Sequence, residues 1–303
     1  MIIHSYTTQG NRPYQEDTYI IKKYLTQNCS NATETENLSR LNVDLIGVFD
    51  GHGGGEISKT IAKSLPAYFY KQNLMEDNIP KPNPKYDQYI ISTFDNFQNM
   101  LNATHSKSTS QGSTVCMCLI YEYKSKKIVT SIWSGDSRAM GCNQKLMGDS
   151  LTLDHKPDNP LEINRIKSLG GTVTFEQNDV PRINGVLAVS RSLGDFDQKQ
   201  FVEHKPDINH NLCNYKFIVV ATDGLWDVMN NQQVTDFILS MIFENPENLS
   251  NSRTNKSDHN IACKLAELAI KMGSDDNITI IIYFVDHCKD DYLKYIKYKI
   301  SNI

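Results

Sequence analysis

A layered α+β fold is predicted by three patterns in the sequence. Short apolar runs rich in Ile, Val, Tyr and Phe recur along the chain, as strands do. Between them lie a few stretches with apolar residues at helical spacing. Residues 278–285 are apolar on both alternating faces, which suits a strand sandwiched between two layers. Taken in order, strands are expected at 2–8, 17–25, 43–49, 113–123, 127–134, 183–190, 216–222 and 277–285. Residues 56–70 carry Ile57, Ile61, Leu65 and Phe69 on one helical face, with Pro66 placed to kink it. Residues 86–101 repeat the pattern with Tyr86, Ile90, Phe94, Phe97 and Leu101. Residues 160–169 open with Asn159 as a cap, Pro160 at the first helical position and Glu162 as a capping-box acid, and close on Gly170-Gly171. Helices at 232–243 and 260–272 complete the set. Antiparallel-type strands with a few helices define the α+β class.

The chain has 303 residues and a formal net charge of −4, with no block of like charges. That argues against a nucleic-acid or anionic-membrane surface. Seven cysteines, none in a Cys-x-x-Cys pair, are expected to be small buried hydrophobes rather than zinc ligands or disulfides. The chain starts on strand-like sequence with Ile2 after Met1, so neither a signal peptide nor N-myristoylation is expected. No apolar stretch reaches membrane-spanning length. A soluble intracellular protein, cytoplasmic or nuclear and monomeric, is the expectation. Residues 26–40 and 244–259 are polar and rich in Asn, Ser, Thr and Glu, and read as surface insertions.

The acids fall in a telling pattern. Residues 43–49 end on Asp50-Gly51, residues 217–222 on Asp223-Gly224, and residues 128–134 on Gly135-Asp136. Asp275-Asp276-Asn277 immediately precedes the last strong strand. A single Asp-Gly after a strand marks a turn. Four such acids suggest strand ends gathered at one rim, where carboxylates repel and divalent cations relieve the repulsion. An all-oxygen set selects Mg²⁺ or Mn²⁺ over zinc. His52, on the glycine-rich loop beyond Asp50, is a candidate acid or base. Arg12, four residues before Glu16-Asp17, forms either a surface ion pair or a phosphate fork beside further metal ligands.

These stretches form an ordered series. Arg12-x-x-x-Glu16-Asp17 is followed by Asp50-Gly51-His52-Gly53-Gly54, Gly112-Ser113-Thr114 and Ser134-Gly135-Asp136-Ser137-Arg138-Ala139. Asp154-His155-Lys156-Pro157, Glu162-x-x-Arg165 and Gly170-Gly171-x-Val173 come next, then Arg182-Ile183-Asn184-Gly185 and Leu187-Ala188-Val189-Ser190-Arg191-Ser192-Leu193-Gly194-Asp195. The series ends with Ala221-Thr222-Asp223-Gly224-Leu225-Trp226-Asp227-Val228 and Ser274-Asp275-Asp276-Asn277-Ile278-Thr279. It resembles the type 2C, metal-dependent serine/threonine protein phosphatases over residues 1–285.

The resemblance implies a four-layer α-β-β-α sandwich with two central antiparallel sheets flanked by helices. It implies a catalytic domain over 1–285 and a tail, 286–303, that forms a short helix on the core. Asp50 would bridge two catalytic ions. The Gly51 carbonyl and Glu16 would help hold one, with Asp17 close by, while Asp223 and Asp276 hold the other. Asp136 and Asp227 match positions for a third, weaker ion. Arg12 matches the residue that grips the substrate phosphate, and His52 the proposed general acid. Residues 157–190 would include a flap that influences substrate choice. The implied activity is hydrolysis of phosphoserine and phosphothreonine in phosphorylated proteins by a metal-activated water. The alternative is a catalytically silent relative that acts as a binding or scaffold module. Two other phosphatase classes fit poorly. The later signatures of calcineurin-type enzymes are absent, and His287-Cys288 is followed at the required spacing by Lys294 instead of Arg.

Overall fold

The computed structural model describes residues 2–25, 42–71, 82–105, 110–176, 180–249 and 259–285. The expected insertion at 26–40, most of that at 244–259, and the tail lie outside the described residues, as do Cys29 and Cys288. Strands β1 (Ile2–Thr8), β2 (Thr18–Leu25), β3 (Asn42–Phe49) and β4 (Gly51–His52) precede helices α1 (Glu56–Lys71) and α2 (Pro84–Thr104). A run of strands follows: β5 (Gly112–Ser113), β6 (Val115–Tyr123), β7 (Lys126–Ser134), β8 (Arg138–Asn143) and β9 (Gly148–Ser150). Helix α3 (Pro160–Ser168) leads to the short β10 (Val173–Thr174), β11 (Arg182–Ile183) and β12 (Leu193–Gly194). Then come β13 (Asp207–Leu212), β14 (Tyr215–Ala221), α4 (Asp223–Trp226), α5 (Asn231–Glu244), α6 (Ile261–Lys271) and β15 (Ile278–Phe284).

Two antiparallel five-stranded sheets organise these elements, in the orders β1-β15-β14-β8-β9 and β13-β7-β6-β3-β2. Three hydrophobic clusters show how they stack. Ile3, Ile46, Val48, Cys116, Cys118, Ile218, Val220 and Ile281 pack between the sheets. Phe217, Val219, Ile280 and Ile282 face Ile238 of α5 and Leu265 of α6. Leu45, Met117 and Leu119 face Ile57 and Ile61 of α1 and Phe94 and Phe97 of α2. The order is therefore helices, sheet, sheet, helices. Period-two alternation explains why β14 and β15 are apolar on both faces: from Phe217 on, odd positions of β14 meet the helices, while Ile218 and Val220 meet the other sheet. Each fully buried Ile or Phe contributes roughly 1.5–3 kcal/mol of apolar burial. A polar tie crosses the sandwich, where Tyr283 Oη donates to Asp44 Oδ2 at 2.7 Å.

The expected helices all form, and α1 continues through Pro66. Several expectations need correction. Residues 183–190 are not one strand: the chain turns at Asn184 and Gly185, with φ of 50° and 74°, and Ile183 bridges back to Leu187. Strands β8, β9 and β13 were not anticipated. β13 reads Asp-Ile-Asn-His-Asn-Leu and forms a sheet edge, with Asp207, Asn209 and Asn211 on one face and only Ile208 and Leu212, split by His210, as apolar residues on the other, so it offers no apolar run to find. Glu162 is no capping-box acid: Asn159 caps α3 through Leu161 N–H, while the Glu162 carboxylate pairs with Arg165 and Arg191. Within the 244–259 segment, Glu244 is exposed as expected, but Asn248 and Leu249 are buried. Cys116, Cys118, Cys142, Cys213 and Cys263 are buried and free, as expected.

Candidate active site

Strand register brings the acids to one end of the sandwich. In the first sheet, Thr8 pairs with Ile278, and Ala221 at the end of β14 pairs with Arg138 at the start of β8. The chain just outside these pairs carries Asp276, Asp223 and Asp136. In the second sheet, Phe49 pairs with Thr18, Val48 with Cys116, and Val115 with Ser134. The chain outside those pairs carries Asp50 and Asp17. The two rims are tied together, because Asp17 Oδ2 accepts from Thr222 Oγ1 at 2.9 Å and Thr279 Oγ1 at 2.8 Å. Gly51 is packed so closely that a Cβ would lie 2.5 Å from the Glu16 carbonyl oxygen and 2.8 Å from Ser58 Oγ. Only glycine lets the loop after Asp50 lie against the Glu16 backbone.

The carboxylates crowd one another. Burial and the nearby charges of Asp223, Asp17 and Asp136 push Asp50 well above the usual carboxylate range. Burial, then the charges of Asp223 and Lys156 acting in opposite senses, leaves Asp136 well above it too. Burial followed by repulsion from Asp227 and Asp276 moves Asp223 up to about 6. Burial takes Asp17 up to about 7 although its two threonine donors pull the other way. Asp17 Oδ1, Asp136 Oδ1 and Asp223 Oδ1 are buried with no hydrogen-bond partner. Such oxygens are costly unless something positive meets them, and a hard cation that prefers oxygen fits that need. The side chains stop short of a finished cage. Among the described residues, no three His, Cys, Asp or Glu groups already stand at ligating distance.

Two cations of the chain itself stand among these acids. Arg12 Nη2 lies 2.6 Å from Asp276 Oδ2, so Arg12 reaches across to the last acid instead of pairing with Glu16 or Asp17 beside it. Lys156 Nζ lies 2.6 Å from Asp227 Oδ1, and Asp136, Asp227 and Asp223 together raise its pKa against the opposing effect of burial. Sequence reasoning assigned Lys156 no role, although its position directly after Asp154-His155 was legible. It also missed Asn277, whose side chain accepts from Glu16 N–H at 2.8 Å and donates to the Gln9 and Tyr14 carbonyls. Asn277 thereby fixes the loop that carries Arg12. Asp195 was likewise missed. Its Oδ2 lies 2.8 Å from His52 Nε2, and β12 before it is too short to register as a strand ending in an acid. Burial alone would lower the His52 pKa, but Asp195, with Glu16 and Asp223 beyond it, raises it on balance.

Comparison with known proteins agrees with this architecture. The family model described as protein phosphatase 2C matches residues 5–278. A protein of Oryza sativa subsp. japonica named probable protein phosphatase 2C 59 is 32% identical over 283 residues, covering 91% of this chain and 73% of that protein. Protein phosphatase 1A of Homo sapiens is 30% identical over 251 residues, covering 78% of this chain and 60% of the human one. The crystal structure of a serine-threonine phosphatase 2C from Toxoplasma gondii superposes with a TM-score of 0.70 at 25% identity, over 93% of this chain and 94% of the other. The fold and site thus define a phosphoprotein phosphatase, a hydrolase. The chain belongs to the protein phosphatase 2C family of serine/threonine phosphatases. No helix among the described residues is long and apolar enough to cross a membrane.

Proposed function

We propose that residues 1–285 are one catalytic domain that hydrolyses phosphoserine and phosphothreonine in proteins, transferring the phosphoryl group directly to water. The reading rests on one observation above all: three buried carboxylate oxygens, from Asp17, Asp136 and Asp223, lack partners at one rim. Two ions, Mg²⁺ or Mn²⁺, would be held by Asp50, the Gly51 carbonyl, Glu16, Asp17, Asp223 and Asp276. When bound, they lower the pKa of a shared water and neutralise phosphoryl oxygens. Arg12, 56% exposed on its side chain, swings from Asp276 to grip the phosphate in a charge-assisted fork. His52, whose imidazolium is favoured by Asp195, protonates the departing alkoxide. Asp136 and Asp227 would take a third ion, which must compete with Lys156 and so binds more weakly.

Hydrolysis of a phosphoserine peptide should vanish after exhaustive chelation and return with millimolar-range Mg²⁺ or Mn²⁺, because sites of carboxylates and waters bind such ions modestly. No turnover at any metal concentration would favour the silent scaffold module. His52→Gln should cost about 10² to 10⁴ in rate on phosphoserine peptides and far less on aryl phosphates, whose leaving groups need little protonation. Parallel losses on both would remove the acid role.

A further inference from the structure

Strands β12, β5 and β4 form a small three-stranded sheet beside the two large ones. His52 pairs with Gly112, and Gly112 pairs with Gly194, so His52 and the residue next to Gly194, Asp195, flank one glycine. A Cβ at Gly112 would lie 2.1 Å from Asp195 Oδ2 and 2.5 Å from His52 Nε2. The glycine is what allows imidazole and carboxylate to meet. Asp195 is fully buried. Its carboxylate lies 2.9 and 2.8 Å from His52 Nε2 through its two oxygens, and Ser192 Oγ donates to it from the same loop. Its backbone is pinned as well. Asp195 N–H donates to the Gln111 carbonyl at 2.9 Å, and Gln98 of α2 brackets Gly194 with bonds of 2.8 and 2.9 Å. Asp195 itself holds φ of 46°, a region that few non-glycine residues visit and that Asp tolerates better than most.

We infer that Asp195 is a positioning residue for the reaction: it engages Nε2–H of His52, so that Nδ1 is the nitrogen that delivers the proton to the departing serine or threonine oxygen. The inference rests on the reading of His52 as general acid. An imidazolium has two N–H groups, and here one is committed to a carboxylate with no exposure to water. In the step itself the P–O bond to the leaving group breaks and its electron pair stays on that oxygen. The oxygen takes the Nδ1 proton, and His52 is left neutral with its remaining proton on Nε2, still bonded to Asp195. A carboxylate behind a histidine that fixes tautomer and ring orientation is a familiar device in catalysis. An alternative role for Asp195, bracing the turn through Ser192 alone, makes no demand on which nitrogen of His52 is protonated.

Two measurements separate these roles. In ¹⁵N NMR of the wild-type protein, neutral His52 should show a single tautomer with Nε2 protonated and Nδ1 bare. A proton on Nδ1, or an even mixture, overturns the assignment whatever any variant does. In kinetics, Asp195→Asn should lose about 10²-fold in kcat on a phosphoserine peptide but under about threefold on p-nitrophenyl phosphate. Retained aryl turnover then shows that the fold and the carboxylate rim persist. The double variant with His52→Gln should lose little beyond His52→Gln alone, as residues acting as one unit do. Equal losses on both substrates in Asp195→Asn, while His52→Gln stays selective for the poor leaving group, overturn the role of Asp195 alone. Equal losses in His52→Gln itself instead overturn the general-acid reading on which it stands.

Discussion

Asp50→Asn is expected to abolish phosphopeptide turnover and, in chelator, to leave a protein more heat-resistant than the wild type. Both effects have one cause. Asp50 sits among Asp223, Asp17 and Asp136, and burial plus their charges hold its pKa far up. As bare carboxylates these groups penalise the folded state at neutral pH. An acid whose folded pKa is raised keeps its proton in the native chain after the unfolded chain has lost it. Stability therefore falls as pH rises between the two values. For Asp223 that window runs from the ordinary value near 3.8 to about 6, and for Asp17 to about 7. A shift of two units corresponds to roughly 3 kcal/mol. Removing one of the repelling acids relieves its neighbours, and an Asn at 50 can still donate to Asp223 as the protonated acid does. The chelated wild type should lose stability from pH 4 to pH 7, and the variant should lose less. With millimolar Mg²⁺ or Mn²⁺ the order should reverse, because only the wild type gains ligand-binding stabilisation. Calorimetry in chelator and in metal checks this. A variant less stable than wild type in both would mean that Asp50 does not sit in a repulsive cluster.

The fold was legible wherever one face of an element had to be buried. The alternation in residues 278–285 placed β15 between layers, and the i, i+4 apolar positions of α1 and α2 located their buried faces. β13 was hidden because it is a short edge strand whose one apolar face, Ile208 and Leu212, is broken by His210 and leaves too weak a trace. Within the site, Asp50, Asp136, Asp223 and Asp276 were legible because each lies at the end of a long apolar strand, whereas Asp227, which follows the short helix α4, came only from the family resemblance. Asp195 and Lys156 were not, since one follows a two-residue strand and the other sits in a loop. Their importance lies in what they touch, and contact across 143 or 71 positions of chain leaves no local pattern. Asn277 illustrates a third case. Its neighbour Asp276 drew attention as a strand-end acid, while Asn277, whose amide ties the Arg12 loop, was read only as the first residue of the strand that follows.

Glu162→Ala is expected to destabilise the protein by on the order of 3 kcal/mol, and that difference should fade in acid. Glu162 joins α3, in the expected flap, to the body of the sandwich. Its carboxylate, 2% exposed, takes Arg165 Nη2 at 2.8 Å and Arg191 Nη2 at 2.6 Å. Arg191 continues to Asp207 at 2.8 Å, Asp207 to His155 at 3.1 Å, and Gly135, the neighbour of Asp136, donates to His155 Nδ1 at 3.2 Å. Without Glu162 two guanidiniums face each other with no common counter-charge, and loss of one partner from a buried ion network typically costs about 3–5 kcal/mol. Each guanidinium retains about a fifth of its exposure, so water recovers part of the loss, which sets the lower end. Burial would raise the Glu162 pKa, but hydrogen bonds from Arg191 and Arg165 win and lower it. Asp207, bonded to His155, is drawn down to about 2. Depressed acids stabilise above their unfolded pKa and lose that contribution as pH falls through the folded value. The gap between wild type and Glu162→Ala should therefore be full above pH 5 and shrink toward pH 2. Denaturant melts across that range measure it. A gap that stays constant into acid would mean that Glu162 contributes through packing alone. Because the network runs on to the loop carrying Asp136, the same variant should weaken binding of phosphopeptides, read as a raised KM, more than it slows aryl phosphate turnover.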